Sequence, residues 1–494
     1  MRRTTSLTTA ALLGLAVLTP TTWTSPAATA AGETCRGEAA TIVGTGPTVT
    51  GTEGRDVIVT AAAGVVDALG GDDLICVTGP GGSSNLLSVV AGAGDDVVDT
   101  TALAAGFYVT TVLGAGADTF AGGPASDTVY AGERASTANG GYTFGADTER
   151  DTIDTGDGDD TAWTGAAGTP NRDVVRLGLG TDRLYLGAAN ATADAVLDGG
   201  AGEDGLRLTG GSGDLALDMT AGTFTSPQGT AAFTSFEFSS LEVGTGTVAY
   251  RGTEGDDDVT LRPTDGVPTL DVTTGGGDDD VFLEPATAIG AGSRIDTGAG
   301  TDTLVAATET GRLALDLATQ RFGAGGVDAV AVGLEDAFLM APEVVMNGDD
   351  DDNELRWNGC DATLRGGLGD DYLGWQFDGI FESYRFDCTG EVTMNAGDGR
   401  DTLRGSNKAD LLIGGRGHDT IEGRGGDDRV RGSRGNDEVD GGQGRDRVSG
   451  GAGNDVINGR SADDVLIGGP GRDRVDGSNG RDRCVGERKT RCER

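Results

Sequence analysis

The sequence predicts an all-β solenoid, and three observations carry that prediction. Ten aspartates, Asp401, Asp410, Asp419, Asp428, Asp437, Asp446, Asp455, Asp464, Asp473 and Asp482, stand nine residues apart without interruption. Two residues after each stands an apolar side chain, namely Leu403, Leu412, Ile421, Val430, Val439, Val448, Ile457, Leu466 and Val475, until Cys484 takes that place. Glycine contributes 89 of 494 residues, against about 7% in ordinary proteins. A fixed short period of this kind means that one small unit is stacked on itself.

Read in nines from Gly414, the chain runs GGRGHDTIE, GRGGDDRVR, GSRGNDEVD, GGQGRDRVS, GGAGNDVIN, GRSADDVLI, GGPGRDRVD and GSNGRDRCV. Each block divides into a tight turn of five or six residues and a strand of three whose middle side chain points inward. Glycine supplies the positive φ angles that such turns need.

These blocks resemble the repeats-in-toxin (RTX) family of hemolysin-type calcium-binding repeats, whose pattern is Gly-Gly-x-Gly-x-Asp-x-apolar-x, over residues 396–494. The resemblance implies a parallel β-roll in which two blocks make one coil of eighteen residues. It also implies calcium ions (Ca2+) between the turns, held by the ten aspartates and by carbonyls of loop glycines such as Gly414, Gly432, Gly450 and Gly468. Hard oxygen ligands suit that metal.

Pairing blocks into coils sorts the loops by parity. One edge ends in Asp401, Asp419, Asp437, Asp455 and Asp473 and keeps glycine at every fourth place. The other ends in Asp410, Asp428, Asp446, Asp464 and Asp482, with Lys408 and Ala462 at that place. A side chain there is sterically penalised, so the first edge is expected to bind calcium in an unbroken row and the second at fewer or weaker sites. Like-edge aspartates about 5 Å apart repel by about 3 kcal/mol per pair at an effective dielectric of about 20. Calcium binding is therefore expected to drive folding.

Upstream the motif recurs in degenerate form, as in GTEGRDVIV at 51, LGAGADTFA at 113, GGAGEDGLR at 199 and TGGGDDDVF at 274. Its aspartates often lie 22 or 23 residues apart, as in Asp73, Asp96 and Asp118, or Asp257, Asp279 and Asp302. That predicts longer coils, closer to a parallel β-helix. A repeat of about 98 residues is superimposed: LALDM at 215 returns as LALDL at 313, with Glu237 and Glu335 at matching offsets. The expected organisation is a signal peptide at 1–30, a degenerate solenoid at 31–197, duplicated modules with an insert at 198–395, and the regular β-roll at 396–494.

Arg2 and Arg3, the apolar run from Ala10 to Leu18, and Ala28-Thr29-Ala30 together read as an export signal. A secreted, extracellular protein is expected, and no later segment is apolar enough for membrane insertion. Its six cysteines are then expected in disulfides, by spacing Cys35 with Cys76, Cys360 with Cys388, and Cys484 with Cys492 as a covalent end cap. The net charge of −42 lies wholly in the first 395 residues, because 396–494 hold 19 basic and 19 acidic side chains. Such a surface argues against nucleic acid and favours divalent cations.

No conventional catalytic constellation is present. The only histidine, His418, falls in the variable fifth place of a loop. Asp278, Asp279 and Asp280 near Arg294 are the one arrangement that suggests a calcium-dependent polysaccharide lyase or hydrolase. Between Trp357 and Phe386 seven aromatics cluster, either as a disulfide-tied mini-core or as a platform for glycans. The arginines Arg429, Arg447 and Arg483 share one outward sheet face, where they either meet an acidic glycan or pair with acidic neighbours. The expected function is that of a non-catalytic, exported calcium-binding protein with a structural, adhesive or surface role, its partner an extracellular glycan or cell-surface component.

Overall fold

The computed structural model describes residues 32–79, 85–136, 142–144, 148–165, 170–187, 192–209, 213–264, 266–286, 289–375, 386 and 390–493. The expected signal peptide, and Cys388 with most of the aromatic insert, lie outside them. Among the described residues the regular elements are β-strands, without an α-helix, and they stack into a parallel solenoid. Among the described residues no helix is long and apolar enough to cross a membrane.

Each coil contributes two strands, and a strand pairs in parallel with the next but one along the chain. In the roll, Arg429–Arg434 pairs with Arg447–Ala452, aligning Val430 with Val448, while Glu438–Gln443 pairs with Val456–Ser461, aligning Val439 with Ile457. The offset is eighteen residues, as two nonapeptides require. Upstream, Leu86–Ala93 pairs with Tyr108–Ala115 at an offset of 22, placing Tyr108 against Leu86. The longer period thus makes wider coils of the same kind.

The two sheets face each other across one apolar core cluster that reaches from Val49 to Cys484. Side chains alternate in and out along each strand, so the eighth place of every block is buried; Ile457 is 1% exposed and its neighbour Val456 44%. The 98-residue duplication also has a structural form. Leu215–Asp218, Thr223–Ser226 and Gly229–Thr234 make an antiparallel meander, and Arg312–Asp316, Arg321–Ala324 and Val327–Val332 repeat it.

Both ends of the solenoid are tied by disulfides. At the start the hairpin of Thr34–Cys35 and Glu38–Ala39 is joined through Cys35 to Cys76, and at the finish Cys484 joins Cys492. Cys360 is disulfide-bonded as well.

The inward ladder makes a measurable distinction between adjacent residues. Ile457→Ala should cost about 2–5 kcal/mol by emptying a packed site, whereas Val456→Ala should stay within about 0.5 kcal/mol. Thermal unfolding in saturating calcium would show a large drop in midpoint for the first variant and almost none for the second.

Candidate metal centre

The motif aspartates are joined in ladders that run from coil to coil. The backbone N–H of Asp419 donates to Oδ1 of Asp437 (3.1 Å), that of Asp437 to Asp455 (3.0 Å), and that of Asp455 to Asp473 (3.1 Å). The other edge repeats this from Asp410 through Asp428, Asp446 and Asp464 to Asp482. The two parity classes are therefore two physical edges.

The second carboxylate oxygen is the informative one. Oδ2 of Asp401, Asp419, Asp428, Asp437, Asp446, Asp455, Asp464, Asp473 and Asp482 is buried with no hydrogen-bond partner among the described residues. A buried carboxylate oxygen left unmatched costs free energy, unless a cation meets it. Asp410 differs: its Oδ2 accepts the N–H of Ser406 (2.6 Å), and the Ser406 hydroxyl also donates to it. Asp56 and Asp257 are closed in the same way by Thr52 and Thr253. Each of these three residues begins a ladder.

The glycines of the motif have separate reasons. At the first place, a Cβ on Gly414, Gly432, Gly450 or Gly468 would lie 2.3 Å from Oδ2 of the aspartate five residues on. Those four glycines contribute room for the carboxylate, and the Gly468 carbonyl already accepts the Gly451 N–H (2.8 Å). At the fourth place, Gly417, Gly426, Gly435, Gly444, Gly453, Gly471 and Gly480 have positive φ, and the carbonyl of the preceding coil projects upward. A Cβ on Gly435 would sit 1.3 Å from Gly417 O.

On the second edge Ala462 is held at φ +84°. The coil-to-coil bond from Gly444 N–H to Ser461 O beside it stretches to 3.3 Å, against 2.8 Å for Gly435 to Ala452. Lys408, the other side chain at this place, is not held at positive φ, and its N–H donates to the Ser406 hydroxyl (3.0 Å).

Burial governs the protonation of these groups. It pushes Asp401 and Asp455 up to about 6, Asp419 to about 7 and Asp428 to about 8, with neighbouring carboxylates adding to the effect. Backbone donors, such as the Asp410 N–H on Asp428, oppose it.

The ladders extend well upstream. Asp73 N–H donates to Asp96, Asp160 to Asp182, Asp182 to Asp204, Asp257 to Asp279, and Asp371 to Asp401. At the duplicated meanders a glutamate takes the acceptor role, Asp204 donating to Glu237 and Asp302 to Glu335. At the C-terminus Glu487 accepts from Asp473.

A second, outer ladder occupies the fifth place, which looks variable in sequence. Asn436 N–H donates to Nδ1 of His418, Asn454 to Asn436, and Arg445 to Asp427. His418 is thus a structural acceptor. The enzyme-like constellation is dispersed: Asp279 is buried in the inner ladder, Asp278 accepts Thr301 N–H in the outer one, and Arg294 pairs with Asp296. Of the clustered aromatics, Trp357 is buried, Trp375 packs on the core beneath the Arg424 guanidinium (5.0 Å), and Phe386 packs against Val305 and Phe338.

Among the described residues no three Asp, Glu, His or Cys side chains converge as a metal cage. Each loop instead offers one buried carboxylate among backbone carbonyls, a hard-oxygen set that suits calcium. The family model for the RTX calcium-binding nonapeptide repeat matches residues 113–133, 146–167, 395–430, 422–457 and 458–488. These segments are RTX calcium-binding repeats. No curated protein matches the chain. The two upstream RTX segments hold Asp118, Asp127, Asp151 and Asp160, which carry the same inner ladder. The RTX repeats thus account for the calcium-binding character of the chain, and the open Oδ2 atoms fit that ion.

Two tests follow from this geometry. Gly450→Ala should destabilise the roll by about 1–3 kcal/mol and lower calcium stoichiometry, read by calorimetric titration. Without metal, carboxyls raised above their unfolded value of about 4 contribute stability that is complete below that pH and lost as pH rises through 6 to 8. The chelated protein should therefore melt lower at about pH 8 than at about pH 5, and saturating calcium should narrow that difference.

Proposed function

We propose that this protein is an exported, non-catalytic calcium-binding scaffold whose folded length is set by extracellular calcium and which serves a structural or adhesive role at a surface. The observation that carries the reading is the row of buried carboxylates with one oxygen unmatched, repeated along both edges of the roll. Calcium supplies the missing positive charge, and its binding energy is then folding energy. The export signal read in residues 1–30 and the disulfides at both ends are consistent with an oxidising, calcium-rich medium.

In this reading the ten motif aspartates are unequal ligands. The edge through Asp401, Asp419, Asp437, Asp455 and Asp473 binds in a continuous row, while Asp410, closed by Ser406, contributes least. The open aspartates upstream, such as Asp96, Asp182, Asp204 and Asp302, bind in the wider coils. Residues 198–395 act as duplicated modules that lengthen the scaffold.

A calcium titration of the mature protein followed by far-ultraviolet circular dichroism tests this function. β-structure should grow with calcium. Asp455→Asn should remove one or more bound ions and shift the folding midpoint to higher calcium, whereas Asp410→Asn should leave the ion count unchanged. Complete β-structure in chelator, or equal losses in the two variants, would refute it.

A further inference from the structure

The two outward faces of the roll differ in a way that neither ladder requires. The sheet containing Glu438–Gln443 and Val456–Ser461 carries carboxylates among its arginines: Arg404 pairs with Glu422, Arg460 with Asp440 and Arg491 with Asp476, while Arg474 and Arg488 share a column with Glu438. On the opposite sheet the register places Leu411, Arg429, Arg447, Val465 and Arg483 on successive rungs. Arg431 and Ile467 stand in the column beside them. Neither column contains an acidic residue between 411 and 485. The four arginines are exposed and form no ion pair among the described residues. Leu411 and Ile467 are 39% and 41% exposed.

We propose that this face docks a linear polysaccharide bearing carboxylates, laid along the solenoid axis. The proposal rests on the calcium-folded roll, because only the stacked coils bring arginines 18 residues apart in sequence onto one line. Rungs about 4.8 Å apart spread the column from Leu411 to Arg483 over about 19 Å, a track suited to a polymer rather than a point ligand. The planar guanidinium fork matches a carboxylate in bidentate fashion. The aliphatic side chains between arginines offer apolar contact to the carbon faces of sugar rings.

Charge selects the same occupant. Residues 396–494 balance 19 basic against 19 acidic groups, ten of the latter being the motif aspartates. Cations bound at the open carboxylates among those ten turn the roll into a net positive body. The excess negative charge lies in the first 395 residues, and screening confines its field to about 10 Å in ordinary salt. A thin chain lying on the roll avoids that field, whereas a flat anionic membrane would continue beneath the acidic coils. Single-stranded nucleic acid is gripped through aromatic platforms, and these columns contain none.

The test is calorimetric titration of the full mature protein, in saturating calcium and about 0.1 M salt, with a hyaluronan oligosaccharide. Wild type should bind, neutral dextran should not, and the triple variant Arg429→Gln, Arg447→Gln, Arg483→Gln should lose about thirtyfold or more in affinity. Arg474→Gln, on the opposite face, should change nothing. Circular dichroism must show the triple variant folding with calcium as wild type does; if it does not, the single variant Arg447→Gln carries the comparison. Undiminished binding by these variants, equal binding of dextran, or tighter binding of DNA or anionic vesicles would overturn the proposal. A wild-type protein that folds with calcium yet ignores hyaluronan defeats the docking surface alone, whereas absence of calcium-dependent folding defeats the reading beneath it.

Discussion

Everything in this solenoid hangs on a carboxylate that serves two masters. One oxygen of every motif aspartate except those that begin a ladder accepts a backbone N–H from the coil before it, as Asp455 does from Asp437, and so fixes the spacing and register of the stack. The other oxygen is buried without a partner. Hydrogen bonding orders the loop, and burial makes the ordered loop unfavourable at neutral pH until a cation arrives. The same side chain is thus a structural strut and an unsatisfied site, so a cation bound there would act on the fold directly.

That dual role explains the composition of the repeat. The first glycine leaves room for the carboxylate, the fourth lets one loop lie on the carbonyl of the loop below, and the apolar eighth place closes the core. Where Ser406, Thr52 or Thr253 hydrogen-bonds the second oxygen, the loop is satisfied without metal, and these loops lie where ladders begin. Starting a ladder therefore uses local hydrogen bonds, and extending it leaves one oxygen per loop open to a cation.

Much of this was legible in the amino-acid order. The nine-residue spacing predicted the stack, the eighth place predicted the core, and parity sorted the aspartates into the edges they occupy. Less visible were features that depend on contacts between coils. The fifth place looked variable because Asp427, Asn436 and His418 share no obvious property except a side-chain acceptor, which is what the outer ladder uses. Glu237 and Glu335 stood out only as members of a duplication, since a glutamate 33 residues after an aspartate gives no local sign that it replaces one. The closure of Asp410 by Ser406 was missed for a similar reason: a serine at the second place reads as a tolerated glycine substitute.

The disulfides at the two ends carry a kinetic consequence. A stack of identical rungs ordinarily comes apart from its termini, where the last rung has a neighbour on one side only. Here Cys35–Cys76 ties the first coils together and Cys484–Cys492 ties the last turn to the strand before it, so fraying cannot begin with single strands and has to release a cross-linked unit. Loss of an end then takes away a whole tied unit, with every strand-to-strand bond that it makes to the next coil. The array is less like a frayed rope than like one whipped at both ends.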